Sequence, residues 1–228
     1  MRRGLQHDRR LTWLLGKARI SGGRCHEEFR QHLPTMTVLN WRRSMRIKRH
    51  VPSDLNEEQL ALYGEISGGR RADGKQHFPI VGQDGALEGP FNAMLLAPRV
   101  GLGLQRLGSS IRYESNLHPR LREIAILMVA SRWKCDFERR AHEPIAADAG
   151  VSIAEMASIQ ENGSFHSIDP TEKVMLNTIR TILESADLTD DEYAAAVDQV
   201  GPEIVFELLT LIGYYSTLAL QLRIFRVE

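Results

Sequence analysis

The residues most able to do chemistry in this chain lie near its middle. Arg120-Leu121-Arg122-Glu123 is followed by Cys135-Asp136-Phe137-Glu138 and then His142. Cys135, Glu138 and His142 stand at i, i+3 and i+7, a spacing that places all three on one face of a helix. A carboxylate four residues before a histidine can orient the imidazole for proton transfer. Glu123 sits among apolar residues, and a buried carboxylate needs either a partner or a raised pKa. Glu123 beside His142 therefore reads as a proton relay, with a salt bridge to Arg120 or Arg122 as the structural alternative. The chemistry expected is acid–base. A lone cysteine cannot complete an intramolecular dithiol cycle, and chemistry at its thiol would require exposure and a low pKa. Cys135 is otherwise expected to line the pocket.

Helices must position these groups. His118-Pro119 opens one, almost wholly apolar from Leu121 to Ala130 apart from Arg122 and Glu123, and so expected at the centre of the fold. Trp133 and Lys134 end it or bend it. The next helix carries Cys135 to Ala149, with Gly150 as its cap, and Pro144 should bend it just after His142. Upstream, Ser53 or Asp54 can cap a helix running to about Ile66, with Glu57 and Glu58 near its positive end. Ser67–Gly89 reads as a long surface loop, glycine-rich without a phosphate-binding motif, placed to cover a pocket or touch a neighbouring subunit. Gly89-Pro90 opens a short helix. After Pro98, the spacing of Val100, Leu104, Leu107 and Ile111 predicts the buried seam of another, and its glycines permit close packing. Ser152-x-x-Glu155 and Thr189-x-x-Glu192 are capping boxes. Asp169-Pro170 and Gly201-Pro202 start two more helices. Tyr214 and Tyr215 on the last read as core or interface residues. Tyr113, His118 and His166 are weaker polar candidates. Only short pieces such as Ile224–Val227 hint at a strand. The fold class is all-α, with about eight helices.

Composition bounds the rest. The 228 residues are 43% hydrophobic and 25% charged, ordinary for a globular chain. The zero net charge hides an asymmetry. Residues 1–50 hold 13 Arg or Lys against 3 Asp or Glu, and the remainder holds 16 against 26. We read residues 1–45 as a basic extension, with a fraying helix around Arg9–Arg19, and residues 46–228 as a single helical domain. The extension has no zinc-ligand pattern or recognition-helix signature, and its apolar stretch is too short for a bilayer. Neither a nucleic acid nor a membrane partner is expected. Two cysteines, Cys25 and Cys135, exclude a disulfide-rich secreted scaffold and make the cytoplasm the default location. The Glu and His residues do not repeat in the Glu-x-x-His pattern of helical metal sites, so no metal or cofactor is expected.

The strings Leu121-Arg122-Glu123-Ile124-Ala125-Ile126-Leu127, Phe137-Glu138-Arg139-Arg140-Ala141-His142 and Ala146-x-x-Ala149-Gly150-Val151-Ser152 resemble the carboxymuconolactone decarboxylase family, within the alkylhydroperoxidase-like superfamily. The resembling core spans about 89–160. The peroxidase branch pairs Glu, Cys-x-x-Cys and His. Here Cys135 matches the first cysteine, Glu138 replaces the second, and His142 and Glu123 match the remaining positions. The decarboxylase branch implies cofactor-independent loss of carbon dioxide from a small cyclic acid or lactone, in a homo-oligomer, commonly a trimer or hexamer. The resemblance implies His142 as acid/base, Glu138 orienting it, Glu123 as relay, and Arg120 or Arg122 holding the substrate carboxylate. Of the two, Arg120 shares a helix face with Glu123, and Arg122 should point elsewhere. The competing functions are a peroxidase using Cys135 alone and a non-catalytic helical protein.

Overall fold

The computed structural model describes residues 44–70 and 77–227. The expectations for the basic extension, including its helix and Cys25, fall outside those residues. The described chain is all-α and contains no strand. A single bridge pairs Val81 with Leu87.

A 3-10 turn at Pro52–Asp54 precedes α1 (Glu57–Ser67). The cap of α1 is Asn56, not Ser53 or Asp54. The Asn56 side chain accepts from the Gln59 N–H while the Gln59 side chain accepts from the Asn56 N–H, satisfying two donors that the first turn otherwise leaves unpaired. Next come α2 (Pro90–Met94), wholly buried, and α3 (Pro98–Tyr113). On α3 half of the expected apolar seam holds, with Ile111 in the core and Leu104 packed against it. Val100 and Leu107 are exposed, whereas Gly101, Gln105, Gly108 and Ile111 are buried. The helix turns its small residues inward because α2 lies so close that a Cβ on Gly101 would sit 2.8 Å from the Met94 Cβ. Close approach, rather than apolar side-chain area, selects the buried face.

The core is built on α4 (Pro119–Trp133) and α9 (Pro202–Phe225). Every residue of α4 from Glu123 to Ala130 is buried. Between them in sequence run α5 (Asp136–Asp148), α6 (Ile153–Asn162), α7 (Pro170–Ser185) and α8 (Asp190–Val200). The capping boxes of α6 and α8 form as their sequences dictate. The described helices number nine rather than eight, and the ambiguous Ile224–Val227 begins inside the last turn of α9. Pro144 lies within α5, which runs on to Asp148.

The α4–α5 junction sets the geometry of the site. Lys134 adopts the left-handed conformation, φ 51°, and stops α4. Cys135 is consequently extended and serves as the N-cap of α5, so it does not join Glu138 and His142 on a continuous helical face. The junction is tied to α9 where Trp133 Nε1 donates to Ser216 Oγ at 3.0 Å and Arg223 donates to the Trp133 carbonyl.

Candidate functional site

A cavity of about 260 Å³ opens between α2, the end of α3, α5, α9 and the loop before α2. Its polar wall holds Arg112, Tyr113, Glu138 and His142, and its apolar wall includes Phe91, Phe137 and Leu218. A volume of this order suits a single-ring ligand, since a dry cavity of about 150 Å³ holds benzene. The loop contributes His77, Phe78 and Ile80. Phe78 meets Phe137 edge to face at 5.0 Å, and His77 Nε2 lies 3.0 Å from Asp148 Oδ2 on α5. Arg49 clamps the loop through Asp84, at 2.6 Å, and Glu88. The expectation that the 67–89 loop covers a pocket agrees with this lining for the described part of the loop.

Glu123 and His142 come together from adjacent helices. His142 Nδ1 stands 2.8 Å from Glu123 Oε2, and Glu123 is fully buried. Burial pushes the Glu123 carboxyl upward. The His142 hydrogen bond and the charges of Arg112 and Arg122 more than offset it, holding the group below the ordinary carboxylate range. An ionised carboxylate only accepts hydrogen bonds, so Nδ1–H is the donor and Nε2 is left for proton transfer. The ring of Tyr215 packs edge to face on His142 at 5.2 Å and fixes its plane from α9.

Glu138 has a different role from the one its spacing suggests. It lies one turn before His142 but does not bond to it, because Glu123 already holds Nδ1. It is 3% exposed, lines the cavity, and neither carboxylate oxygen has a hydrogen-bond partner. Burial drives its pKa well above the ordinary value and favours the neutral carboxylic acid. A cavity holding a neutral acid beside an imidazole has both a proton donor and a proton acceptor.

The arginine expectations also change. Arg120, despite sharing a helical face with Glu123, reaches away to Glu172 at 2.7 Å and Glu155 at 2.6 Å, and donates to the Gly150 carbonyl. It braces α4 against α6 and α7 and borders a separate surface groove with His118 and His166. Arg122, expected to point elsewhere, lies 3.3 Å from Glu123 Oε1 and donates to the Arg112 carbonyl at 3.2 Å. The arginine on the cavity wall is Arg112, whose guanidinium forms no salt bridge among the described residues. Sequence spacing carried no signal for it, since it closes a different helix ten residues upstream of Arg122.

Cys135 is not among the residues lining the cavity. It is buried in a small cluster with Phe137, Ala219 and Leu222. Burial and the neighbouring Glu138 push its thiol up to about 11. Tyr214 and Tyr215, expected in the core or at an interface, are buried and also line the cavity, as does Tyr113. Among the described residues no group of three or more His, Cys, Asp or Glu side chains is arranged to hold a metal ion.

The chain matches no known family model and none of the curated proteins.

Proposed function

We propose that the cavity is the active site of a cofactor-independent lyase that removes carbon dioxide from a small cyclic carboxylic acid or lactone, in the manner of the carboxymuconolactone decarboxylases that the sequence resembles, and within their all-α fold. The observation that carries the reading is the 2.8 Å contact between buried, anionic Glu123 and the Nδ1 of His142 on a cavity wall. The arrangement fixes one tautomer and one ring orientation and leaves Nε2 for the substrate.

In this mechanism Arg112 anchors the anionic substrate as a planar fork, the part first given to Arg120 or Arg122. Apolar Phe91 and Phe137 pack against its ring. Heterolysis of the bond to the carboxylate releases carbon dioxide and leaves the electron pair on the ring carbon, delocalised toward an adjacent carbonyl. Protonated Glu138 donates a hydrogen bond to that carbonyl oxygen as charge develops there. His142, its Nδ1–H held by Glu123, takes a proton from water at Nε2 and delivers that proton to the carbon, with Glu123 as counter-charge to the transient imidazolium. The balance is one carboxylate and one proton in, carbon dioxide and the protonated product out. A peroxidase built on Cys135 fits less well, because the thiol is buried away from the cavity and held protonated. The reaction is that of a cytoplasmic small-molecule enzyme.

The test is carbon dioxide release from a panel of single-ring lactone and unsaturated cyclic acids. Turnover of at least one member, reduced about 10²- to 10⁴-fold by His142→Ala, is the expected result. Turnover that survives His142→Ala unchanged would remove the acid–base assignment.

A further inference from the structure

In the resting site the proton of His142 is on the wrong nitrogen for an acid. Nδ1–H donates to the ionised Glu123 at 2.8 Å, so Nε2, turned away from Glu123, carries a lone pair. An imidazole in that tautomer accepts a proton before it can give one. The decarboxylation above uses His142 as an acid only after water has loaded it. A ligand that carries its own acidic C–H needs no such loading.

Glu138 supplies the other half. It stands one turn before His142 on α5, and both side chains line the same cavity. Glu138 is 3% exposed, and neither of its oxygens has a hydrogen-bond partner. Burial holds its carboxyl toward the neutral form, which has an O–H to donate. A buried donor without an acceptor is unfavourable, and a ligand carbonyl in the cavity relieves it. Phe91, Phe137 and Leu218 make the facing wall apolar. A hydrogen bond to a developing oxyanion is strengthened in such surroundings, and Arg112 adds a positive charge to the same lining. A base with a free lone pair and an un-ionised acid, both opening on one apolar cavity, can draw a proton from carbon beside a carbonyl.

We propose that the site also catalyses a proton shift, isomerising β,γ-unsaturated single-ring lactones and cyclic ketones to their α,β-conjugated isomers. His142 Nε2 takes the proton from the carbon between the carbonyl and the double bond. The C–H electron pair moves through the ring onto the carbonyl oxygen, giving a dienolate that accepts a hydrogen bond from Glu138. The imidazolium, with Glu123 as counter-charge, returns the proton to the far carbon of the double bond. The carbonyl re-forms, and the double bond now lies beside it. One proton leaves one ring carbon and one arrives at another, so no oxidant, reductant or co-reactant enters. The proposal rests on the acid–base roles given to His142 and Glu138 above but not on loss of carbon dioxide, and it requires no carboxylate on the ligand.

The probe is α-angelica lactone, a neutral single-ring lactone without a carboxylate. The readout on the full chain is the ultraviolet absorbance of conjugated β-angelica lactone as it forms, with the product identified by proton NMR. The wild type should convert it well above a blank of equimolar imidazole. His142→Ala should slow conversion about 10²- to 10⁴-fold, and a folded His142→Gln, which cannot take the proton, should match it. Glu138→Leu should lose about 10²-fold, and Glu138→Gln, whose amide N–H still donates, should lose less. Both replacements put a neutral side chain of similar size where the carboxyl had no partner, and far-UV circular dichroism should be unchanged. Conversion no faster than the imidazole blank overturns the proposal. So does a rate unaffected by both His142 variants, or by Glu138→Leu. Isomerisation without carbon dioxide release from any carboxylated ring leaves the proton shift standing and removes the lyase reading, and carbon dioxide release without isomerisation does the reverse.

Discussion

Replacing Glu138 by Gln should make the protein more stable, and increasingly so as the pH rises. Glu138 is buried with both oxygens unpartnered, and its folded pKa is raised by desolvation. In the unfolded chain the same carboxyl ionises at an ordinary value of about 4.3. Above that pH the unfolded state has released a proton that the folded state keeps, so the wild type loses stability as pH rises. The contribution of the neutral acid is fully present below the unfolded pKa and is lost progressively until the folded group itself ionises. One proton corresponds to about 1.4 kcal/mol per pH unit across that window. Gln has nearly the same shape, also lacks a hydrogen-bond partner, and does not titrate, so its burial cost is constant. His77, Arg112, Tyr113 and His142 line the same cavity and are common to both proteins, so the difference between the two isolates Glu138 to first order. Urea denaturation at pH 5, 6, 7 and 8, with m held common, measures it. The expected result is a difference, Gln variant minus wild type, that climbs with pH at a slope approaching one proton. A difference that stays flat from pH 5 to 8 would refute the neutral carboxyl, and with it the hydrogen-bond donor assigned to the substrate carbonyl.

Other outcomes follow from the same geometry. Glu123→Gln leaves the imidazole in place but removes its counter-charge, and turnover of an identified substrate should fall by about 10²-fold or more without loss of binding. Because the Glu123 pKa is lowered, its stabilising contribution is present above the unfolded pKa and disappears as pH falls through the folded value, the opposite sign to Glu138. Arg112→Leu should raise KM about 10- to 100-fold by loss of one charge-assisted contact, whereas Arg120→Leu should leave KM alone and lower stability by about 1–3 kcal/mol, since Glu155 and Glu172 lose their common partner. In a Cys25→Ser background, Cys135 should resist thiol labelling at pH 7.5 until the protein is unfolded, and rapid labelling of the native state would reopen the peroxidase reading. Gly89→Ala should cost about 1–3 kcal/mol by urea denaturation, because Gly89 has φ 57° and a Cβ there runs into the ring of Phe137.

Local signals were readable in the sequence wherever the partners lie within a few residues. Ser152 with Glu155 and Thr189 with Glu192 form their capping boxes because each exchanges hydrogen bonds across a single turn. Pro90, Pro119, Pro170 and Pro202 each stand at the start of a helix, where the missing N–H has no intrahelical acceptor to lose. The all-α class and the central place of α4 follow from composition and periodicity alone. Glu123 and His142 were legible as a pair because one sits in an apolar helix that must satisfy it and the other is close behind on the next.

Which other groups join that pair was decided in three dimensions. Helical spacing offered His142 to Glu138, but an imidazole Nδ1 makes one hydrogen bond, and the ionised, fully buried Glu123 holds it. The same spacing offered Arg120 to the site, but Glu155 and Glu172 on two later helices hold its guanidinium. Arg112, Tyr113, His77 and Tyr215 reach the cavity from elements that touch only once the chain has folded. A left-handed residue at Lys134 rotates Cys135 out of register with Glu138 and His142, a consequence of the helix break that the spacing of the three did not show. The sequence by itself determined the helices, their caps and the carboxylate–histidine pair, because these depend on interactions a turn or one helix away. The tertiary structure decided which carboxyl is held toward its charged form, which is pushed toward its neutral form and which arginine lines the cavity, because desolvation and competition for partners are properties of the packed whole.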